Sequence, residues 1–501
     1  MQCPDKHCIS KSRSNFKEPR PNPPLRQSRP VPHRTPMRQR PLRNRLWFGG
    51  TMVVTFLLIL VIGNHFIDAD KSVARNMLGH DFTAFYSAGH FADTRQFDKL
   101  YDIEAVKAFE QQTGKQANLT LGDAYGPFWN PPFYAWVFAP FARMPYGDAL
   151  LAWTLINIIC LIISIGLLCR ILLTEPAQFH DPIEDDCAPA IALETKESVI
   201  ALNWRNWGLV PLLILGSMPV IQALSHGQNT MTSLLLLTST VFFWRRRQSV
   251  LAGIICGFLF YKPQLGAIVA TALIASQGAP AFLGLMFTGV GLLAVTEYTM
   301  PDAVADFLVK LPANLEFMQV DHPYVWERHA TIKAFWRLLL MGRDAGRITP
   351  IVAGLVGFFQ IALAGYFVVS IRKFISHRKT ILPDSIIAAT IVTMPLLMPF
   401  YFDYDLLLIS VAAVLYAREY NQHPYKPLDK WIIRNWAVLY LWMLINPGIS
   451  AQTHFNLNVP LLFSLAMMLI KRAGMMANEH ADLHQKTAVP LGHRFARASW
   501  A

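Results

Sequence analysis

Residues 46–66 read LWFGGTMVVTFLLILVIGNHF, an apolar run with no Asp, Glu, Lys or Arg. A run of this length crosses a bilayer as one helix, because the hydrocarbon core takes roughly 17–25 residues. The 45 residues before it carry twelve Lys or Arg against Asp5 and Glu18, a net +10 out of +12 for the whole chain. That tail is also rich in proline and has no apolar periodicity. It reads as a disordered cytoplasmic segment lying against anionic headgroups rather than as a nucleic-acid-binding arm. The positive-inside rule then places the N-terminus in the cytoplasm and the segment after residue 66 outside.

The rest of the chain agrees with a membrane reading. Of 501 residues, 53% are hydrophobic and 16% charged, and the mean hydropathy is +0.30. Soluble domains average about 25% charged residues. Secreted disulfide scaffolds and disordered chains are excluded by six cysteines and long apolar stretches. Further candidate spans lie near 148–173, 207–224, 228–244, 249–262, 263–278, 279–299, 349–372, 384–400, 403–418, 432–449 and 455–471. Alternation from the first span puts Arg245–Arg247, Arg372, Lys373, Arg378, Lys379, Lys471 and Arg472 inside. The expected fold is therefore all-α, a polytopic transmembrane helical bundle of about 12 spans with both termini cytoplasmic. It divides into the tail 1–45, a membrane domain 46–472 and a C-terminal cytoplasmic tail 473–501. Two long outer loops, 67–147 and 300–348, place the work of the protein at its outer face. Residues 131–141 must not span if the topology is to hold, and read as a short interfacial helix started by Pro131-Pro132. Cys3, Cys8, Cys160, Cys169, Cys187 and Cys256 all fall outside those loops, so disulfides are not expected. The Cys3/His7/Cys8 group is a weak metal signal.

The outer segments supply the candidate chemistry. The first opens with Gly79-His80-Asp81-Phe82-Thr83-Ala84-Phe85-Tyr86. Asp81, flanked by aromatics, either caps a helix over 82–92 or serves as a base with a raised pKa. Tyr125-Gly126-Pro127-Phe128-Trp129-Asn130 follows, then Ser225-His226-Gly227-Gln228-Asn229 and Tyr261-Lys262-Pro263-Gln264. Lys262, a cation in apolar surroundings, either snorkels or meets an anion, while Gln228 and Asn229 could link helices by hydrogen bonds. The second outer loop holds His322, Arg328, His329 and Lys333. His329 and Lys333 share a face if the stretch is helical, and with Arg328 they form a patch that suits either a phosphate or lipid headgroups. In Tyr401-Phe402-Asp403-Tyr404-Asp405 the two acids are expected to cap a helix or hold a cation. A metal would need a third ligand that the spacing does not supply. There is no P-loop, dinucleotide fingerprint, zinc-protease helix or nucleophile elbow.

Taken in order, Asp81-Phe82 with Phe85-Tyr86, Asn130-Pro131-Pro132-Phe133, Pro140, Met144-Pro145, Gly227-Gln228-Asn229, Lys262-Pro263 and the run 399–405 resemble glycosyltransferase family 87. These are integral-membrane enzymes of the GT-C class, related to a mycobacterial polyprenyl-phosphate-mannose-dependent mannosyltransferase. The resemblance covers roughly residues 46–472. It implies a GT-C type bundle, a sugar donor carried on polyprenyl phosphate, and Asp81 as the catalytic base by position. It implies a lipid or glycan acceptor, contact with membrane lipids, and a bacterial inner-membrane enzyme with its active site on the periplasmic face. No nucleic acid and no cofactor is required; the class admits a divalent metal, but nothing in the residues calls for one. Lys262, Arg328, His329 and Lys333 would be the pool that holds the donor phosphate, with His80, Tyr86, Asn130, His226, Gln228, Asn229, Gln264, His322, Tyr401 and Asp403 as further substrate-binding candidates. A transporter or flippase of a lipid-linked sugar, and a non-catalytic subunit of an envelope-glycan assembly, are the competing readings.

Overall fold

In a computed structural model the protein is described over residues 44–55, 58, 79–117, 126–174, 204–375, 384–423 and 425–487. The N-terminal tail to residue 43, most of the second half of the first apolar run, residues 67–78 of the first outer loop, Tyr125, Cys187, Arg378, Lys379 and residues 488–501 lie outside that description. The described residues are helical throughout, with one isolated bridge between His329 and Phe402. We number the helices α1 (residues 44–55), α2 (Phe82–Asp93), α3 (Ile103–Gln116), α4 (Ala135–Ala142), α5 (Tyr146–Leu173), α6 (Trp204–Leu215), α7 (Met218–His226), α8 (Thr230–Arg245), α9 (Ser249–Phe258) and α10 (Pro263–Gln277). They continue as α11 (Ala279–Thr299), α12 (Ala303–Glu316), α13 (Ile332–Met341), α14 (Pro350–Ile375), α15 (Asp384–Leu397), α16 (Ile409–Gln422), α17 (Asp429–Trp442), α18 (Asn446–Thr453) and α19 (Asn458–Thr487).

Four helices among the described residues are long and apolar enough to cross a membrane: Tyr146–Leu173, Ala279–Thr299, Pro350–Ser370 and Asn458–Met476. Gly208–Leu215 with Met218–His226, bent by 57°, would make a fifth. The other runs read as spans form shorter helices. Helix α8, with 16 residues, is only about 24 Å long at 1.5 Å per residue, against a ~30 Å core. What shortens these elements is local chemistry. Pro263 starts α10, Pro395 lies near the end of α15, and residues Asp403–Leu408 form a 3₁₀ turn before α16.

Burial separates the two sets. Helix α5 leaves Leu151, Leu155, Ile159 and Ile162 exposed, and α11 does the same with Phe287 and Val290, as lipid-facing helices must. By contrast α15 is buried at every position from Asp384 to Leu396, so it runs through protein. Helices α9 and α11 touch backbone to backbone: a Cβ on Gly253 would collide with the Ala281 carbonyl, and one on Gly284 with that of Val250. This close approach is the small-residue packing that joins helices in lipid, where no hydrophobic force does so, and Thr288 adds a 2.9 Å bond to the Ile254 carbonyl. Gly253→Leu should therefore wedge the pair apart and lower stability by about 1–3 kcal/mol, read as a fall in Tm in detergent. An unchanged Tm would contradict the packing.

Above the bundle, α2, α4 and the start of α5 form an aromatic cap. Phe85 stacks on Phe138 at 4.9 Å, and Phe82, Tyr134 and Trp153 surround the pair. The short helix expected over 131–141 forms from Pro132, through a 3₁₀ turn Pro132–Tyr134 leading into α4.

Candidate functional site

Asp81 stands at the first position before α2 but makes no side-chain cap. The capping alternative is therefore not realised. Its carboxylate instead accepts a 2.7 Å bond from Gln228 Nε2 through Oδ2, and Oδ1 takes no hydrogen bond among the described residues. Backbone pairing sets this geometry. Gly79 N and Asp81 N donate to the carbonyls of Ser225 and His226 at 2.7 and 3.1 Å. Gly227, at φ +71°, turns the chain between α7 and α8, and a Cβ there would press on Phe82 at 2.8 Å. Only glycine suits that turn. The turn places Gln228 beneath Asp81.

Two ion pairs adjoin this carboxylate. Arg328 grips Asp403 with two bonds, Nε to Oδ2 at 3.2 Å and Nη2 to Oδ1 at 3.0 Å, and donates from Nη1 to His226 Nε2 at 3.3 Å. His226 Nδ1 in turn lies 2.8 Å from the Gln222 carbonyl, which fixes the tautomer with its proton on Nδ1. Burial alone would pull the Arg328 guanidinium down, but the Asp403 carboxylate outweighs it and raises the pKa, with Asp81 contributing. Lys262 spans both oxygens of Asp405 at 3.0 and 3.1 Å, and Thr230 donates to the same carboxylate at 2.8 Å. Lys262 thus meets an anion instead of snorkelling, and both late acids hold cations, one of the two roles expected of them.

Residues 322–333 depart from the helical reading. Thr331 caps Ala334 N at 2.9 Å and starts α13 at Ile332, so His329 lies before the helix and does not share a face with Lys333. His329 is also no cation. It is buried against Phe402, 4.0 Å between ring centroids, and burial, with Arg328 and Lys333 close by, pushes its pKa down to about 3. Its Nδ1 accepts from Tyr401 N at 3.4 Å, and its Nε2 lies 3.1 Å from the Tyr324 hydroxyl. Lys333 donates to Gln319 Oε1 at 3.2 Å between the faces of Trp326 and Phe400.

The remaining candidates sort by place. Tyr401 is buried with its hydroxyl on the Asp405 carbonyl at 2.8 Å. Asn130 donates to the Tyr261 carbonyl at 2.8 Å, next to Lys262. Asn229 is fully buried, and neither side-chain atom has a partner at hydrogen-bond geometry among the described residues. His80 is half-buried, and its Nε2 has no partner among the described residues. Gln264 sits half-buried on the first turn of α10. Tyr86 bonds the Met144 carbonyl at 2.8 Å and belongs to the aromatic cap. His322 is exposed and bonded to the Phe317 carbonyl at 2.9 Å, with no hydrogen bond to Asp81, Arg328 or Lys333. No group of three or more His, Cys, Asp or Glu able to hold a metal occurs among the described residues.

Glu110 on α3 was not anticipated. It is fully buried, Oε2 accepts from Gly126 N at 2.8 Å, and Oε1 has no partner among the described residues. Burial raises its pKa from 4.5 to about 8, with Asp81's charge adding to the effect. The available signal was its register, four residues after Val106 and three before Thr113 on the one buried face of a polar helix. Between pH 4.5 and about 8 the unfolded chain loses this proton while the folded protein keeps it. Stability must therefore fall as pH rises through that window. Glu110→Gln should flatten the fall; identical Tm–pH curves for both proteins would refute the buried acid.

The acid, the paired cations and the turns at 79–81, 225–229, 261–264 and 401–405 thus come together beside the apolar helices. No curated protein matches the chain. Residues 128–399, more than half of it, match the family model of glycosyltransferase family 87; this stretch includes His226, Gln228, Lys262, Arg328 and Lys333, while Asp81 precedes it and Asp403 follows. The chain belongs to glycosyltransferase family 87 and is a membrane glycosyltransferase, with a sugar donor and an acceptor as its substrates.

Proposed function

We propose that the protein moves a hexose, with mannose favoured, from a polyprenyl-phosphate donor to a lipid or glycan acceptor at the outer face of the bacterial inner membrane. In this reading the shorter helices cross as well, giving about twelve passages with both termini cytoplasmic. The observation that carries the proposal is Asp81, held by one oxygen on Gln228 with the other left open, within electrostatic reach of Arg328 and Tyr324.

A sugar on phosphate already has a good leaving group, so catalysis needs a base for the acceptor and positive charge for the departing phosphate. The acceptor hydroxyl oxygen attacks the anomeric carbon as its proton passes to Asp81. The bond from that carbon to the phosphate oxygen breaks, and its electron pair leaves with polyprenyl phosphate. One displacement inverts the anomeric centre, and Asp81 later returns the proton to water. No metal or cofactor enters this scheme.

The test is turnover in liposomes carrying labelled polyprenyl-phosphate sugars and a crude lipid or glycan extract. Release of polyprenyl phosphate with a glycosylated product supports the transferase. Movement of intact donor between leaflets would replace it with a flippase. Neither activity, together with stable capture of other envelope-glycan enzymes, would point to a non-catalytic subunit.

A further inference from the structure

The cations of the outer face are not equivalent. Arg328 is bidentate on Asp403 and Lys262 is bidentate on Asp405, so each already has its counter-charge. Lys333 pairs with no carboxylate among the described residues; its only hydrogen bond is to the neutral Gln319. A half-buried ammonium between two aromatic faces, without an anion, is costly unless a ligand supplies one.

The groups around it are donors too. Lys333 can only donate, so the atom of Gln319 that it bonds is the oxygen, which leaves Nε2 of the same amide. That nitrogen faces the Tyr324 hydroxyl oxygen but has no partner at hydrogen-bond geometry among the described residues, in a residue only 6% exposed. Tyr324 completes the set. His329 takes the Tyr401 amide on Nδ1, so its own proton sits on Nε2 and is given to the Tyr324 oxygen at 3.1 Å. The Tyr324 hydroxyl hydrogen is then free to be donated onward. Gln319 lies in a π-helical turn, Phe317–Asp321, an irregularity often found at functional sites.

We infer that Lys333, Gln319 Nε2 and the Tyr324 hydroxyl form a phosphate site in the second outer loop, and that it receives the phosphate of the lipid-linked donor. The assignment rests on the transferase reading above. Within it, Arg328 and Lys262 tie the outer loop and α10 to the 403–408 turn, and Lys333 carries the ligand's charge. Asp81 lies within electrostatic reach of Tyr324, which puts the base and the leaving phosphate at neighbouring positions around one sugar.

The experiment uses the full chain in phosphatidylcholine nanodiscs and measures binding of labelled polyprenyl phosphate, the leaving group itself, with phosphatidylinositol in a parallel arm. Lys333→Met should weaken polyprenyl-phosphate binding about ten-fold or more, and Gln319→Leu several-fold, since bonds to charged groups are among the stronger ones. Lys333→Arg should restore most of it. If Lys333→Met misfolds, Gln319→Leu and Tyr324→Phe still test the site, because each removes one donor and leaves the cation in place. Binding within two-fold of wild type in folded variants would overturn the proposal. So would loss confined to phosphatidylinositol, which would make the site one for an acceptor headgroup. A wild type that binds polyprenyl phosphate through these residues yet never transfers sugar would sink the transferase reading and leave the site standing.

Discussion

Asp81→Asn is expected to lower kcat by about 10²–10⁴-fold, the usual contribution of a positioned general base, while leaving the fold intact. Asparagine has almost the same shape, and its Oδ1 can still accept the 2.7 Å bond from Gln228 Nε2. The backbone bonds from Gly79 and Asp81 to the 225–226 carbonyls are untouched by the change. What disappears is the ability of the open oxygen to take a proton. Removing one negative charge beside a phosphate also relieves repulsion, so donor KM should stay level or fall. A drop in kcat without a rise in KM marks an interaction made only in the transition state. The assay compares equal amounts of folded protein with labelled donor. Undiminished kcat would remove Asp81 as the base. His329 could not replace it, because both its nitrogens are engaged, and His322 is exposed with its Nδ1 held by the Phe317 carbonyl.

The same physical rules decide what could be read from residue order. Charges in apolar surroundings must be paired, and that alone marked Lys262, Asp403 and Asp405 as partners of something. Which charge each would meet depends on helices far apart in sequence, as the 143-residue separation of Lys262 and Asp405 shows. Asp81 was legible as an isolated acid among aromatics, but the cap-or-base question turned on Gln228, brought beneath it by the Gly227 turn. His329 was misread because the spacing to Lys333 was counted as helical; Thr331, a good cap three residues before Ala334, was the overlooked stop signal. The span count is harder still. Apolar composition is the same for a helix facing lipid and for one such as α15 that faces only protein, and only burial separates them. Glu110 had no composition signal at all, since polar helices usually turn their acids to solvent.

The largest stability effect is expected at the end of the bundle opposite the site, where α8 finishes. There Asp384 is shared by Arg245, at 2.9 Å, and Arg418, at 3.1 Å. Next to it Arg472 joins Glu419 and Asp429. Among the described residues these three arginines meet three carboxylates. Both arginines on Asp384 also bond carbonyls at the end of α5, at Ile171 and Thr174. This one carboxylate therefore ties α5, α8, α15 and α16. Asp384→Asn removes the charge that two guanidinium groups share and leaves them in a site only 3–4% exposed. Loss of one partner of a buried pair costs about 3–5 kcal/mol, which should appear as a large fall in Tm and in the yield of folded protein. The surviving fraction should turn over normally, because nothing at this end touches Asp81 or Lys333. Pairing Asp384→Leu with Arg245→Met should recover part of that stability, since one cation leaves together with one carboxylate and no net charge is added to the buried cluster. A double variant no more stable than Asp384→Asn would mean that the carbonyl bonds, rather than the charge balance, hold these helices together.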